Sequence, residues 1–165
     1  MHEQLREGFQ AQMQAEFESA YLYLAMASYC AHQGWMGCAH WLRIQWQEEL
    51  QHALKFFDFL LERGVQPQLR TLQQPAQSFG TPLELFAKAL EHEQYITGRI
   101  HRLYRQAVEL EDYPAQVFLQ WFVNEQLEEE AQARAIVEQL RQIGESPVGI
   151  YLLDRELAQR KAEED

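Results

Sequence analysis

Apolar residues recur along most of the chain at steps of three and four rather than two, the spacing that places them on one face of an α-helix. Ala, Leu, Glu, Gln and Arg, which favour helices, fill many of the positions between them. The pattern predicts four long helices and a short fifth helix. Their predicted ranges are 3–32, 35–63, 82–112, 114–143 and 147–160.

Signals for helix ends are few and clustered, because the chain has eight Gly and five Pro. In the run Thr81-Pro82-Leu83-Glu84 we expect Thr81 to be the N-cap, Pro82 to take the first helical position and Glu84 to complete a capping box. Ser146-Pro147 repeats the first part of this signal. Both positions therefore predict sharp helix starts.

The lengths of the connections predict the topology. Short turns join the first helix to the second and the third to the fourth, so each pair should be antiparallel. Residues 64–80 carry no helical pattern, and about 17 residues at roughly 3.3 Å each can span the length of a helix. The chain is therefore predicted to form an all-α four-helix bundle with a long crossover between helices 2 and 3, as one domain over residues 1–165.

Each long helix has an apolar stripe that polar side chains interrupt near its middle. Because helix midpoints coincide in a bundle of nearly equal helices, we expect these side chains to meet at one level of the core. The interrupting residues are Glu16, Glu49, His52, Glu93, Gln126 and Glu129.

Four buried carboxylates need neutralising, because burial of an unpaired charge is costly. No Lys or Arg lies on the four stripes, which leaves protonation, water or cations. Two divalent ions would match four carboxylates, and oxygen donors with one imidazole suit iron or manganese better than structural zinc. The pattern favours a dinuclear metal site over a merely polar core.

Composition points the same way. Fourteen basic and 25 acidic residues give a net charge of −11, which disfavours nucleic acid and anionic membrane surfaces as partners and favours cations. Cys30 and Cys38 cannot build a disulfide framework, and we expect both to be small core residues. The N-terminus has no secretory pattern, and the longest nearly apolar run, 20–31, is too short to span a membrane. We expect a reduced, cytoplasmic protein.

Motifs on all four long helices match one known pattern: Glu16, Glu49-Leu50-Gln51-His52, Glu93 and Gln126-Leu127-Glu128-Glu129. They resemble the ligand set of ferritins, most closely the non-haem bacterial ferritins. The resemblance covers nearly the whole chain and includes 118–122 and 149–154. It implies an iron-storage ferroxidase that oxidises Fe(II) with O₂ or peroxide, inside a hollow shell of twenty-four subunits.

The resemblance also implies how iron would be held. Glu16, Glu49 and His52 would bind a first iron, and Glu49 would bridge to a second iron held by Glu93 and Glu129. Gln126 would lie beside that second ion. A third, weaker iron site would use the following side chains: Glu48, Glu125, Glu128 and the shared Glu129. From the residues alone, the first three of these equally fit a solvated helix face.

Several aromatic residues and histidines have two interpretations. Tyr23 lies two turns beyond Glu16, where the matching tyrosine of the family is a candidate electron donor, and core packing explains it equally well. Trp46 and Trp121 are also candidate electron donors, but their helical spacing favours a place in the core. The other histidines are expected to be exposed or hydrogen-bonded, and these are His2, His32, His40, His92 and His101.

This chain lacks residues that are typical of several related classes of iron protein, and their absence argues against those classes. Bundle di-iron proteins commonly carry Glu-x-x-His on two helices, whereas here Gln126 and Glu129 stand where a second pair would be. We therefore hypothesise a site that passes iron onward. Bacterioferritins have a haem-binding Met where this chain has Leu50, so no haem is expected, and the two cysteines cannot provide the Cys-x-x-Cys iron domain of rubrerythrin-like proteins.

Two alternatives to storage remain at this stage: a di-iron oxidase or oxygenase acting on an organic substrate, and a non-enzymatic helical assembly. The predicted fifth helix carries more apolar surface than one bundle end should need, and we expect it to form an assembly contact as well. Its apolar residues are Ile150, Tyr151, Leu153 and Leu157.

Overall fold

The computed structural model describes residues 1–163, which form five α-helices and no β-strand. The all-α prediction is confirmed, and every predicted helix end lies within three residues of the observed one. None of these helices combines the length and the hydrophobicity that a membrane crossing requires. The helices are α1 (Glu3–Gln33), α2 (Met36–Glu62), α3 (Pro82–Glu109), α4 (Tyr113–Ile143) and α5 (Pro147–Leu157).

The predicted caps of α3 and α5 are confirmed. The Thr81 side chain accepts a hydrogen bond from the backbone N–H of Glu84, and the Glu84 side chain accepts one from the Thr81 N–H, which completes the capping box. Ser146 accepts from the Gly149 N–H at 3.2 Å. These bonds satisfy N–H groups that have no partner within the helix, and so fix where each helix begins.

Residues 64–80 cross over without regular secondary structure, as predicted, and α1 holds the segment in place. The Gln10 side chain donates to the Gln66 carbonyl and accepts from the Gln68 N–H, at 3.2 and 3.0 Å. Farther along, Tyr29 donates to the Gly80 carbonyl at 2.6 Å. The connection between the two helical pairs is thus tied to α1 at both ends.

The apolar core divides into two clusters at opposite ends of the bundle. One joins the C-terminal half of α1 to the start of α2, the start of α3, the end of α4 and two residues of α5. The other joins the start of α1 to the end of α2, the C-terminal half of α3 and the start of α4. This arrangement shows that α1 and α2 are antiparallel and that α3 and α4 are antiparallel, with the polar residues between the two clusters.

The α5 helix closes one end of the bundle by capping α2. No side chain at the start of α2 caps it, and Asp154 of α5 instead accepts from the N–H groups of Gly37 and Cys38, at 3.1 and 2.8 Å. A carboxylate is favourable there, because a helix N-terminus carries partial positive charge. Leu153 and Leu157 are buried against the bundle, so part of the apolar surface of α5 serves the subunit itself.

Gly37 should be essential for this docking. A Cβ at this position would overlap the backbone carbonyl of Asp154, so Gly37→Ala must displace α5 and is expected to cost about 1–3 kcal/mol of unfolding free energy. Thermal melting and limited proteolysis at residues 144–146 measure this change. Gly98→Ala is the matched control, because its Cβ would lie 3.3 Å from the mobile end of the Arg102 side chain. Equal stability of the two variants would contradict the assigned packing.

Candidate metal centre

The five predicted iron ligands lie together in the middle of the bundle. They are between 0 and 4% exposed and come from all four long helices: Glu16, Glu49, His52, Glu93 and Glu129. The pattern of interrupted stripes placed them at one level, and the structure brings them into contact there.

The donor atoms form two groups that share one carboxylate. Glu16, Glu49 and His52 each offer an atom within 4.8 Å of the others, and so do Glu49, Glu93 and Glu129. His52 Nδ1 lies 3.1 Å from Glu49 Oε2 and 3.9 Å from Glu16 Oε2. Two adjacent donor sets with Glu49 between them suit a pair of cations bridged by one carboxylate.

Burial favours the protonated form of three carboxyl groups, those of Glu16, Glu49 and Glu129. It is the main cause that raises the pKa of Glu16, Glu49 and Glu129 well above 4.5, and neighbouring carboxylates raise each pKa further. The strongest neighbouring effect on Glu16 comes from Glu49, and the strongest on Glu49 and Glu129 comes from Glu93. A divalent cation that binds here would displace those protons, and its positive charge would neutralise the carboxylates.

A buried oxygen without a partner also indicates a missing positive group. Within residues 1–163, Glu16 Oε2 is buried and accepts no hydrogen bond, and the same holds for Glu48 Oε1. An unsatisfied carboxylate oxygen in the core is costly. The unpartnered oxygen of Glu16 is the one that faces His52. A cation bound by both Glu16 and His52 would give this oxygen a partner.

Two glutamines that the sequence interpretation gave no role orient the acids. Gln12 donates to Glu16 Oε1 at 3.0 Å, and Gln45 donates to Glu49 Oε1 at 2.9 Å and to Glu129 Oε2 at 2.8 Å. Each glutamine stands four residues before a ligand on its own helix, one turn away on the same face. That spacing is the signal that could have identified them.

Gln126 and Tyr23 both hold Glu93. The Gln126 amide nitrogen donates to Glu93 Oε2 at 3.1 Å and to its backbone carbonyl at 3.2 Å. The Tyr23 hydroxyl donates to Glu93 Oε1 at 2.6 Å. Burial, and next the charge of Glu93, raise the Tyr23 pKa well above its usual value, so the phenol stays protonated. Both residues therefore act on the orientation of Glu93.

The proposed third group is only partly assembled. Glu125 lies beside the centre, with Oε1 3.8 Å from His52 Nε2, and it forms a donor group with His52 and Glu129. Exposed Glu128 forms a separate group with Glu125 and Glu163. Glu48 belongs to neither of these groups.

Glu48 instead pairs with Arg160 at 3.0 Å. The helix stripes contain no basic residue, as predicted, but Arg160 follows α5 and reaches the edge of the centre from outside the four long helices. The absence of basic residues from the stripes therefore did not exclude a basic side chain at this edge. The helical pattern could not reveal a contact made by a segment beyond the last helix.

The prediction that Trp121 lies in the core is wrong. Its side chain is 41% exposed, with the ring 5.5 Å from the His52 ring and Lys55 Nζ 4.3 Å from the Trp121 ring centre. Trp46 is half-buried against the core. An indole can shield an imidazole from water while its outer face stays exposed.

The two cysteines and two of the other histidines occupy the structural positions that were expected of them. Cys30 and Cys38 are free and buried, as predicted. Half-buried His92 lies with Nε2 2.7 Å from Ser19 Oγ, and exposed His40 lies 2.8 Å from the Arg160 carbonyl. These histidines are satisfied by hydrogen bonds, as expected for residues outside the donor groups.

Comparison with known proteins gives concordant results. The family profile described as Ferritin-like domain matches residues 6–143. The bacterial non-heme ferritin of Escherichia coli O6:H1 is 38% identical over 147 residues, 89% of each chain. That of Campylobacter jejuni is 40% identical over 144 residues, 87% of this chain and 86% of the relative.

Solved structures agree with the sequence comparison. The open pore ferritin from the hyperthermophilic archaeon Archaeoglobus fulgidus shares 46% identity and a TM-score of 0.96, with 98% of each chain covered. A closed form of that protein, engineered by site-directed mutagenesis, shares 45% identity and a TM-score of 0.97 over 99% of each chain. Nearly every residue described here thus has a counterpart in these folds.

Proposed function

Since the chain belongs to the ferritin family, we propose that it stores iron and oxidises Fe(II) to Fe(III) at the buried carboxylate centre of each subunit. The observation that carries this proposal is the pair of buried donor groups that share Glu49. We further propose that residues 1–165 form one ferritin-like domain.

The substrate of the centre is a pair of Fe(II) ions. Glu16, Glu49 and His52 hold one ion, and Glu49 with Glu93 and Glu129 holds the other. The shared Glu49 keeps the two irons close, so that dioxygen can accept one electron from each. Carboxylate oxygens favour the harder Fe(III) ion and so favour oxidation.

The second position should release its iron more readily than the first. Its three ligands are carboxylates without an imidazole, and Gln126 turns its amide nitrogen toward Glu93. A series of acidic side chains leads from the centre to the surface. It runs through Glu125 and Glu128 and ends at exposed Glu163. We propose that a third, weaker iron binds along this path to Glu125, Glu128 and Glu129, and that Glu48 becomes its fourth ligand when it exchanges Arg160 for the ion.

Storage requires a cavity larger than one subunit can enclose. We propose a cytoplasmic homo-oligomeric shell, with twenty-four subunits as in the family it resembles. The net charge of −11 would draw Fe(II) to such a shell. Tyr151 and Leu152 of α5 are exposed and apolar, which supports the role of α5 as an assembly contact. No haem site is proposed, because Leu50 stands at the expected Met position.

Anaerobic loading with Fe(II), followed by air, tests the function. Storage predicts fast oxidation of about two irons per chain and then uptake of many more irons in a soluble particle. Oxidation that stops after the first stage would indicate the less favoured di-iron oxidase, and absence of both stages would indicate a structural assembly. Either result would contradict the proposal.

Tyr23→Phe tests whether Tyr23 serves the reaction beyond packing. The change removes the hydrogen bond to Glu93 Oε1 and keeps the buried ring, so we expect the fast oxidation rate to fall about tenfold. Two irons per chain should still bind. Stopped-flow absorbance measures the rate, and Tyr21→Phe, an exposed position on the same helix, is the control. A wild-type rate in Tyr23→Phe would assign Tyr23 to core packing alone.

A further inference from the structure

The segment after α5 returns along α2 and places Arg160 at the edge of the metal centre. The guanidinium donates to the Trp41 carbonyl, to Gln45 Oε1 and to Glu48 Oε2, each at 3.0 Å. It also lies 4.1 Å from the centre of the Trp41 ring. Only 12% of the Arg160 side chain is exposed. Arg160 is therefore fixed by several contacts at once.

Gln45 connects Arg160 to the ligands. Its Oε1 accepts from Arg160, while its Nε2 donates to Glu49 Oε1 and Glu129 Oε2. An amide has one accepting end and one donating end. A donor at one end and two carboxylates at the other allow a single favourable orientation. Arg160 thus helps to fix which end of Gln45 faces the acids.

We propose that Arg160 is a positioning residue for the second iron, acting through Gln45 on Glu49 and Glu129. This inference rests on the proposed function, because it names what orients the ligands of that centre. The relay contacts Glu49 Oε1, whereas His52 lies on the Oε2 side. Its effect should therefore fall on the second ion rather than the first.

The test must distinguish the effect of the positive charge of Arg160 from the effect of its hydrogen bonds. Arg160→Lys keeps the charge but replaces the planar fork by a single nitrogen, which cannot reproduce bonds that leave from two separate guanidinium nitrogens. Long-range charge acts on both ions, so the ratio of the two binding constants reports the positioning effect. Arg155→Lys is the matched control, because Arg155 lies on α5 and is exposed beside Tyr151.

Titration with Co(II), which reports its coordination through visible absorption, is the experiment. In Arg160→Lys we expect binding of the second Co(II) to weaken about tenfold, with the first Co(II) and the Arg155→Lys control unchanged. Equal weakening of both ions, or none, would overturn the proposal. Arg160→Met keeps an unbranched side chain and removes both the charge and every donor, so it should shift both binding constants together and still change their ratio about tenfold. Circular dichroism and sedimentation confirm that each variant folds and assembles.

A double-mutant cycle tests the route through Gln45. Gln45→Ala alone should weaken the second Co(II), and adding Arg160→Lys should then cause no further loss. Additive losses would show that Arg160 acts by another route and would overturn the relay. If wild-type protein failed to bind a pair of Co(II) ions, the proposed function itself would fail. Two ions bound equally by wild type and Arg160→Lys would reject only the relay.

Discussion

Replacing Glu49 by alanine should abolish the fast phase of Fe(II) oxidation and leave the fold and the assembly intact. Glu49 belongs to both buried donor groups, so under the proposed assignment its loss removes a ligand from each iron and the carboxylate that joins them. Changing a residue that only hydrogen-bonds a metal ligand typically lowers metal affinity or activity about 10–100-fold. Loss of a ligand shared by both ions should lower the oxidation rate more than about 100-fold. Stopped-flow oxidation with two Fe(II) per chain measures the effect.

Glu62→Ala provides the control for this variant, because Glu62 is exposed near the end of the same helix. It should keep wild-type oxidation. Circular dichroism and sedimentation should show wild-type helix content and particle mass for both variants. A fast phase that survives in Glu49→Ala would remove Glu49 from the bridging role and require a different pairing of the acids.

Cation binding should release protons wherever the pH lies below the raised pKa values of the ligand carboxyl groups. The pKa values of Glu16, Glu49 and Glu129 are raised well above 4.5, mainly by burial. In the metal-free fold these groups therefore keep protons that a cation must displace. Calorimetry with Co(II), in buffers of different ionisation enthalpy, counts the released protons.

The same shifts set the pH dependence of stability. Between 4.5 and the raised pKa values the folded protein holds more protons than the unfolded chain, so unfolding releases protons and metal-free stability falls as pH rises. Bound Co(II) should remove this loss, and its stabilising effect should grow with pH across that window. Glu49→Gln should release fewer protons. Binding without proton release would contradict the burial of protonated carboxyls.

The fold and the main site residues could be predicted because both depend on local patterns. The three-four spacing gives the helices, the Thr81 and Ser146 signals give two starts, and a polar residue on an apolar stripe must face the core. Helix midpoints then bring Glu16, Glu49, Glu93 and Glu129 together, since midpoints coincide whichever way helices run.

What the sequence could not show are contacts between distant segments. Asp154 caps α2 from 117 residues away, and Arg160 reaches Gln45 from 115 residues away. Neither contact follows from helical periodicity. The exposure of Trp121 was missed for a related reason, because an aromatic residue beside a buried stripe can cover a ligand such as His52 while facing outward.

Anomalous diffraction from crystals soaked anaerobically in Fe(II) tests the central claim most directly. Two peaks are expected in each subunit, one among Glu16, Glu49 and His52 and the other among Glu49, Glu93 and Glu129, joined by the Glu49 carboxylate. Iron bound only at the exposed acids, with no peak among the buried carboxylates, would contradict the account.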